Sequence, residues 1–223
     1  MTVIEKTYKI KTFDEFSADE QAEIIERHRY INVDDGFSLT DWNDSYYLSI
    51  ENAGFKNPKI YYDLSCSQGS GACFDSNELD FNTLLKDFNC NHKQWILNLL
   101  NDVNYISIKI KQNHYANHYT HSRTRYISLS YGGNNICKRL ENLLKDIHNH
   151  ISKVYLNTCG DLYTNLQNDF DYLISDEAVK ETLVANDYCF NEYSYKIEQY
   201  PKMFVENTSH KRAKCNTSNF SAS

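Results

Sequence analysis

Two stretches, Tyr105–Lys111 (YISIKIK) and Tyr126–Ser130 (YISLS), decide the fold. Both alternate apolar and polar residues, which is the period of a half-buried strand. Both are rich in Ile and Tyr, which suit a pleated surface. The His-rich segment Gln112–Arg125 between them reads as the end of a hairpin, so the two strands pair antiparallel. Downstream the period changes to that of a helix. Ile136, Leu140, Leu143, Leu144, Ile147, Ile151 and Val154 share one face of a helix over about Asn135–Tyr155. A second helix is predicted over Leu162–Leu173. Ser175 caps a third, Asp176–Ala185, with Asp176 and Glu177 at the end where the helix dipole favours acids. The expected class is α+β: an antiparallel sheet packed against several helices in a single domain.

The upstream half fits the same scheme. Val3–Lys11 alternates like an edge strand. Ser17 and Glu20 have capping-box spacing ahead of a helix that reaches about Tyr30. Thr40 is the next good cap, for a helix over Trp42–Asn52 that buries Trp42, Tyr46, Tyr47 and Ile50. Gly54 supplies its left-handed stop. Lys59–Leu64 and Ala72–Phe74 read as strands around the loop Ser65–Gly71. Asn82–Leu100 reads as helix, interrupted near Asn89–Asn91, with Trp95, Ile96, Leu99 and Leu100 inward. Tyr188–Phe190 and Tyr195–Ile197 read as a closing hairpin. No linker or repeat is visible. Residues 1–205 therefore read as one domain, and 206–223 as a flexible Ser/Asn-rich tail carrying the basic residues Lys211 and Arg212.

Composition narrows the class. The chain has 223 residues, with 23 Lys+Arg against 30 Asp+Glu, a net charge of −7. It has only 7 Gly and 2 Pro, which excludes collagen-like and Pro/Gly-rich disordered chains. The 41% hydrophobic content, with 18 Tyr and 11 Phe, excludes a highly charged disordered chain. No apolar run approaches the length of a membrane span. The N-terminus lacks the basic and apolar regions of a signal peptide, so the cytoplasm is the expected location. The seven cysteines are odd in number and none has C-x-x-C spacing, so they read as reduced thiols rather than a zinc site. The acidic balance argues against a general nucleic-acid binder.

Three features have the residue types of a site. Ser67-Gln68-Gly69-Ser70-Gly71 places two glycines in a loop between strands, where a ligand or another chain can approach closely. It is not a phosphate-binding P-loop, because no Lys and helix start follow it. His114, His118 and His121 have H-x3-H-x2-H spacing. On a strand His114 and His121 would face opposite ways, and no carboxylate in the stretch would orient the rings, so no metal and no cofactor is expected. Cys66 or Cys73 could meet His121 across the sheet as a nucleophile and base. No catalytic set is assigned, and a non-enzymatic role is favoured.

The segment Ile60–Phe74 (IYYDLSCSQGSGACF) resembles the signature of a phage and prophage protein family in which the loop reads S-Q-G-D-G-A-S/C-F. Ser67, Gln68, Gly69, Gly71, Ala72 and Phe74 match it. Ser70 stands where the family usually has Asp, and Asp63–Leu64 where it often has Gly and an aromatic. Tyr119 and His121 match a Y-x-H that precedes a strand. Tyr172–Tyr193 resembles the family's C-terminal helix and acidic F-x-E turn. The resemblance covers most of residues 12–197. Members are often labelled antitoxins of a toxin–antitoxin stability system. The resemblance thus implies a mobile-element protein acting inside bacteria. The expected partner is a bacterial toxin or defence effector, such as a nucleic-acid-handling one, held by an antitoxin-like or anti-CRISPR-like inhibitor. The contact residues expected are Ser67, Gln68, Gly69, Ser70, Gly71, Tyr119 and His121, with Lys211 and Arg212 in the tail. Two alternatives stay open: a hydrolase or nuclease using Gln68 and His121 with a cysteine or metal, and a single-stranded RNA binder using Tyr faces and the basic tail.

Overall fold

The capping box forms as its spacing requires. The Glu20 carboxylate accepts the Ser17 N–H at 2.8 Å, and Ser17 Oγ accepts the Glu20 N–H at 3.5 Å. Helix α1 (Ala18–Arg27) starts there and buries Ile24 and Ile25. It ends three residues before Tyr30. The computed structural model that shows this describes residues 9–33, 37–65, 67–89, 93–101, 106–112, 119–131 and 137–198. The described residues fall into two compact units, one holding those up to Val33 and from Tyr172, the other those from Phe37 to Asp171.

In the first unit, β1 (Ile10–Thr12) pairs with β8 (Cys189–Asn191), which pairs with β9 (Ile197–Glu198), all antiparallel. Phe190, on the central strand, is fully buried with Phe13, Phe16, Ile24, Ile25, Val179 and Leu183. Phe16 meets the Phe190 ring edge-on at 6.2 Å. Removing a ring of this size from water stabilises by about 2–3 kcal/mol. Helix α7 (Asp176–Ala185) begins at the expected cap: Ser175 Oγ accepts the Ala178 N–H at 3.3 Å.

The second unit holds α2 (Leu39–Trp42), α3 (Ser45–Asn52), α4 (Phe81–Leu84), α5 (Lys93–Asn101) and most of α6 (Lys138–Leu173). Its strands form three antiparallel pairs: β2 (Phe55–Lys56) with β5 (Glu78–Leu79), β3 (Lys59–Asp63) with β4 (Gly71–Asp75), and β6 (Ile106–Gln112) with β7 (Arg125–Tyr131). The hairpin predicted from YISIKIK and YISLS is therefore present, with Ile108 opposite Leu129 and Lys111 opposite Tyr126. The α+β class stands, with several small sheets in place of one. Gly71–Phe74 of β4 is buried throughout, which is why its sequence does not alternate. Phe74 packs on Phe55 and Tyr155, with centroids 5.1 and 4.8 Å away, and the Tyr155 hydroxyl donates to the Phe74 carbonyl at 3.0 Å. His148 and His150 of α6 bond the carbonyls of Ile127 and Leu84 at 2.8 and 3.0 Å, tying the helix to β7 and α4.

Several expectations are corrected. The two helices predicted over 135–173 are one helix of 36 residues, about 54 Å long. Gly160 lies inside it on the open side, where a Cβ would meet nothing within 4 Å. Thr40 is not a cap but a buried residue inside α2, and the 42–52 helix is split between α2 and α3. Trp42 and Trp95 are half exposed rather than core. On α5 the buried residues are Ile96, Leu97 and Leu100, one position round from the predicted stripe. Gly54 has φ +101°, the left-handed stop that was expected. No described helix is long and apolar enough to cross a membrane.

Candidate functional site

Ser67–Gly71 joins β3 to β4 through a turn closed by the Ser70 N–H on the Ser67 carbonyl at 3.1 Å. Ser70 Oγ completes it, accepting the Ser67 N–H at 2.8 Å and lying 3.2 and 3.3 Å from the Ser67 and Ser65 hydroxyls. At the other end of the loop Asp63 accepts the Ser65 N–H at 2.8 Å. These are the local side-chain to backbone bonds that Ser and Asp favour in turns.

The loop is shaped to receive a second segment. A Cβ on Gly69 would lie 2.1 Å from Cδ1 of Tyr119, and a Cβ on Gly71 would lie 2.7 Å from both Cα and Cβ of His121. Real side chains do not approach so closely, so the glycines are required by contact. Thr120 binds between them: its N–H donates to the Gly69 carbonyl at 3.4 Å and its hydroxyl to the Gly71 carbonyl at 3.3 Å. The structure therefore brings the SQGSG loop and the Y-x-H segment into one surface.

Tyr119 and His121 stack nearly parallel, 5.9 Å between centroids, and the Tyr119 ring is half exposed. His121 caps the short 3-10 turn Ser122–Thr124, with Nδ1 accepting the Arg123 N–H at 3.2 Å. In the neutral ring the proton is then on Nε2. Gln68 and Ser67 are exposed at the tip, while Gly69 and Gly71 are buried.

Beneath this surface lies a buried polar chain. Thr124 donates to the His121 carbonyl at 2.8 Å and contacts Cys73 Sγ at 3.5 Å. Arg125 donates to Thr124 at 3.2 Å and to Asp75 at 2.8 Å, and its guanidinium lies 4.8 Å from the Tyr61 ring centre. Its side chain is only 5% exposed, so this pairing satisfies a charge that would otherwise be stranded. Burial pushes the Cys73 thiol up, and that of Cys159 to about 12. Cys73 is fully buried and holds Thr124 rather than His121, so it is poorly placed as a thiolate nucleophile. Cys66, His114, His118, Lys211 and Arg212 lie outside the described residues. Among the described residues no three His, Cys, Asp or Glu side chains gather as a metal site.

Two features escaped the sequence reading. One is a polar cleft of about 350 Å³ between α3 and α6, where Tyr46 and Asn43 both donate to the Asp169 carboxylate. Burial first, and then Asp169, raise the Tyr46 hydroxyl above its ordinary range. Only the fold brings those residues together. The other was legible: residues 103–140 contain six Lys and Arg and no Asp or Glu. A window count finds this, and a whole-chain charge hides it.

No curated protein and no solved structure matches the chain. A family profile matches residues 37–176, which span the second compact unit and with it both halves of the glycine-loop surface. That match covers more than half of the sequence, and the chain belongs to DUF8835, a domain family of unknown function.

Proposed function

We propose that the chain is a non-enzymatic binding protein that holds a bacterial toxin or defence effector in a stoichiometric complex, in the manner of an antitoxin or an anti-CRISPR protein. The observation that supports this is the seating of Tyr119 and His121 on Gly69 and Gly71. The resemblance to a phage and prophage family picks out these two motifs separately, and they form one surface. Tyr119 stands half exposed on a rigid seat, as an interface anchor does: a large amphipathic ring with little freedom left to lose. The loop serines bond one another and Thr120 bonds the loop backbone, so these groups serve shape before chemistry. A mobile-element origin and action in the bacterial cytoplasm belong to the same proposal and rest on the resemblance.

The test is to express the tagged chain in a bacterial host, isolate it gently and measure the mass of the complex by light scattering. The expected result is one co-purifying protein at fixed stoichiometry with the wild type, and its loss with Tyr119→Ala at unchanged melting temperature. A wild type that elutes alone, or a partner fully retained by Tyr119→Ala, defeats the reading.

A further inference from the structure

We infer that the outer face of the β6–β7 hairpin is a binding site for single-stranded nucleic acid. The register places Lys111 opposite Tyr126, Lys109 opposite Ser128 and Ser107 opposite Ser130. Side chains alternate along a strand, so these six residues share one face. Ile106, Ile108 and Ile127 are buried on the other. Lys109, Lys111 and Ser130 are exposed, and Tyr126 is half exposed. Neither lysine makes an ion pair among the described residues. Arg123, also exposed, stands just ahead of β7. Arg125 does not join them, because Asp75 and Tyr61 already engage its guanidinium.

The charge around this face is opposite to that of the chain. Residues 103–140 carry Lys109, Lys111, Arg123, Arg125, Lys138 and Arg139 and no acid. The 23 Lys and Arg less these six leave 17 for the rest of the chain, which holds all 30 acids. A polyanion is therefore repelled by most of the sequence and drawn to this part of it.

The aromatic residue decides between polyanions. Lysines alone would take any of them. A tyrosine ring directly across from a lysine adds a stacking surface, which is useful only to a ligand with unpaired planar bases. A duplex keeps its base faces covered and an acidic polypeptide has none. Ser107 and Ser128 supply hydroxyls along the same face, while the Ser130 hydroxyl donates to the Ser107 carbonyl at 3.4 Å. This site is distinct from the Tyr119 contact proposed above, and failure of oligonucleotide binding would leave the effector experiment untouched.

The full chain is titrated against fluorescein-labelled 20-nucleotide oligo-U RNA and oligo-dT DNA, with poly-glutamate as the acidic polypeptide, and anisotropy is read. Both oligonucleotides are expected to bind, a preference for one naming the natural strand, and poly-glutamate is not. Three phosphate contacts predict a fall in affinity of about 20-fold between 50 and 200 mM salt. Lys109→Glu/Lys111→Glu is expected to weaken binding at least tenfold. Tyr126→Ala is expected to weaken it by about fivefold or more, and Tyr126→Phe to bind like the wild type. If the double Glu variant melts early, Lys109→Ala/Lys111→Ala replaces it, with a several-fold loss expected. Absence of binding at 50 mM salt, wild-type affinity in the lysine variants, loss only on Lys211→Ala/Arg212→Ala, or poly-glutamate binding as tightly as oligo-U would each overturn the inference.

Discussion

Gly69 and Tyr119 are in such close contact that a single added methyl on the glycine would lie 2.1 Å from the ring. The Gly69→Ala variant must therefore displace Tyr119. That forfeits the packing of a half-exposed ring on its seat, and the expected loss is about 1–2 kcal/mol. Gly71→Ala faces the His121 backbone, with φ at +154°, and is expected to lose more. The pair 69/119 is then non-additive: in a Tyr119→Ala background, Gly69→Ala is near neutral. Urea denaturation of the four proteins in that cycle measures the coupling.

Ser70 closes its loop by accepting the Ser67 N–H at 2.8 Å. Removing that acceptor in Ser70→Ala should lower stability by about 1 kcal/mol. A carboxylate at the same position can accept the same N–H and the hydroxyls of Ser65 and Ser67. Ser70→Asp should therefore stay within about 0.5 kcal/mol of the wild type in thermal melts. If it does, the Asp of the phage-type signature is a loop-closing residue, and its replacement here leaves the surface intact.

The thiols divide by burial. Cys73 and Cys159 are buried and their pKa values are raised, so the reactive thiolate is scarce at neutral pH. Cys137 is exposed. Iodoacetamide on the native protein should alkylate Cys137 and spare Cys73 and Cys159 until urea unfolds the chain, as read by peptide mass spectrometry. Rapid native labelling of Cys73 would revive the nucleophile reading.

Asp80 caps α4. The Thr83 hydroxyl, donating at 2.7 Å, and the backbone N–H groups of Thr83 and Asn82 hold its carboxyl below the ordinary range. A carboxyl lowered by folding stabilises above its unfolded pKa, and that contribution fades as pH falls through the folded value. The gap between wild type and Asp80→Ala should be about 1 kcal/mol at pH 7 and should shrink below about pH 4. A gap that widens on acidification would contradict the assignment.

What was legible in the sequence had a local cause. The β6–β7 pair follows from alternation, and the Ser17 and Ser175 caps from a side chain reaching its own third neighbour. The two helices predicted over 135–173 are one because the apolar stripe from Leu144 through Tyr155 to Leu166 runs on across the gap, and a glycine inside a helix weakens it by only about 1 kcal/mol. Trp42 and Trp95 misled because a helical stripe read from spacing is uncertain by one position, enough to turn a ring outward. The seat of Tyr119 on Gly69 has no local signal. The two halves of the expected site, Ser67–Gly71 and Tyr119–His121, lie far apart in the chain, and only the tertiary structure brings them into contact.

Thr120 and Gly71 are joined across 49 positions of chain. The glycine loop is thus half of a surface whose other half is made much later in the sequence. A synthetic peptide spanning 59–75 would carry every residue of the loop and still not be a miniature of the protein. Closing so long a loop costs entropy that the few bonds at the seat cannot offset alone, so the surface exists only in the folded domain and vanishes with it.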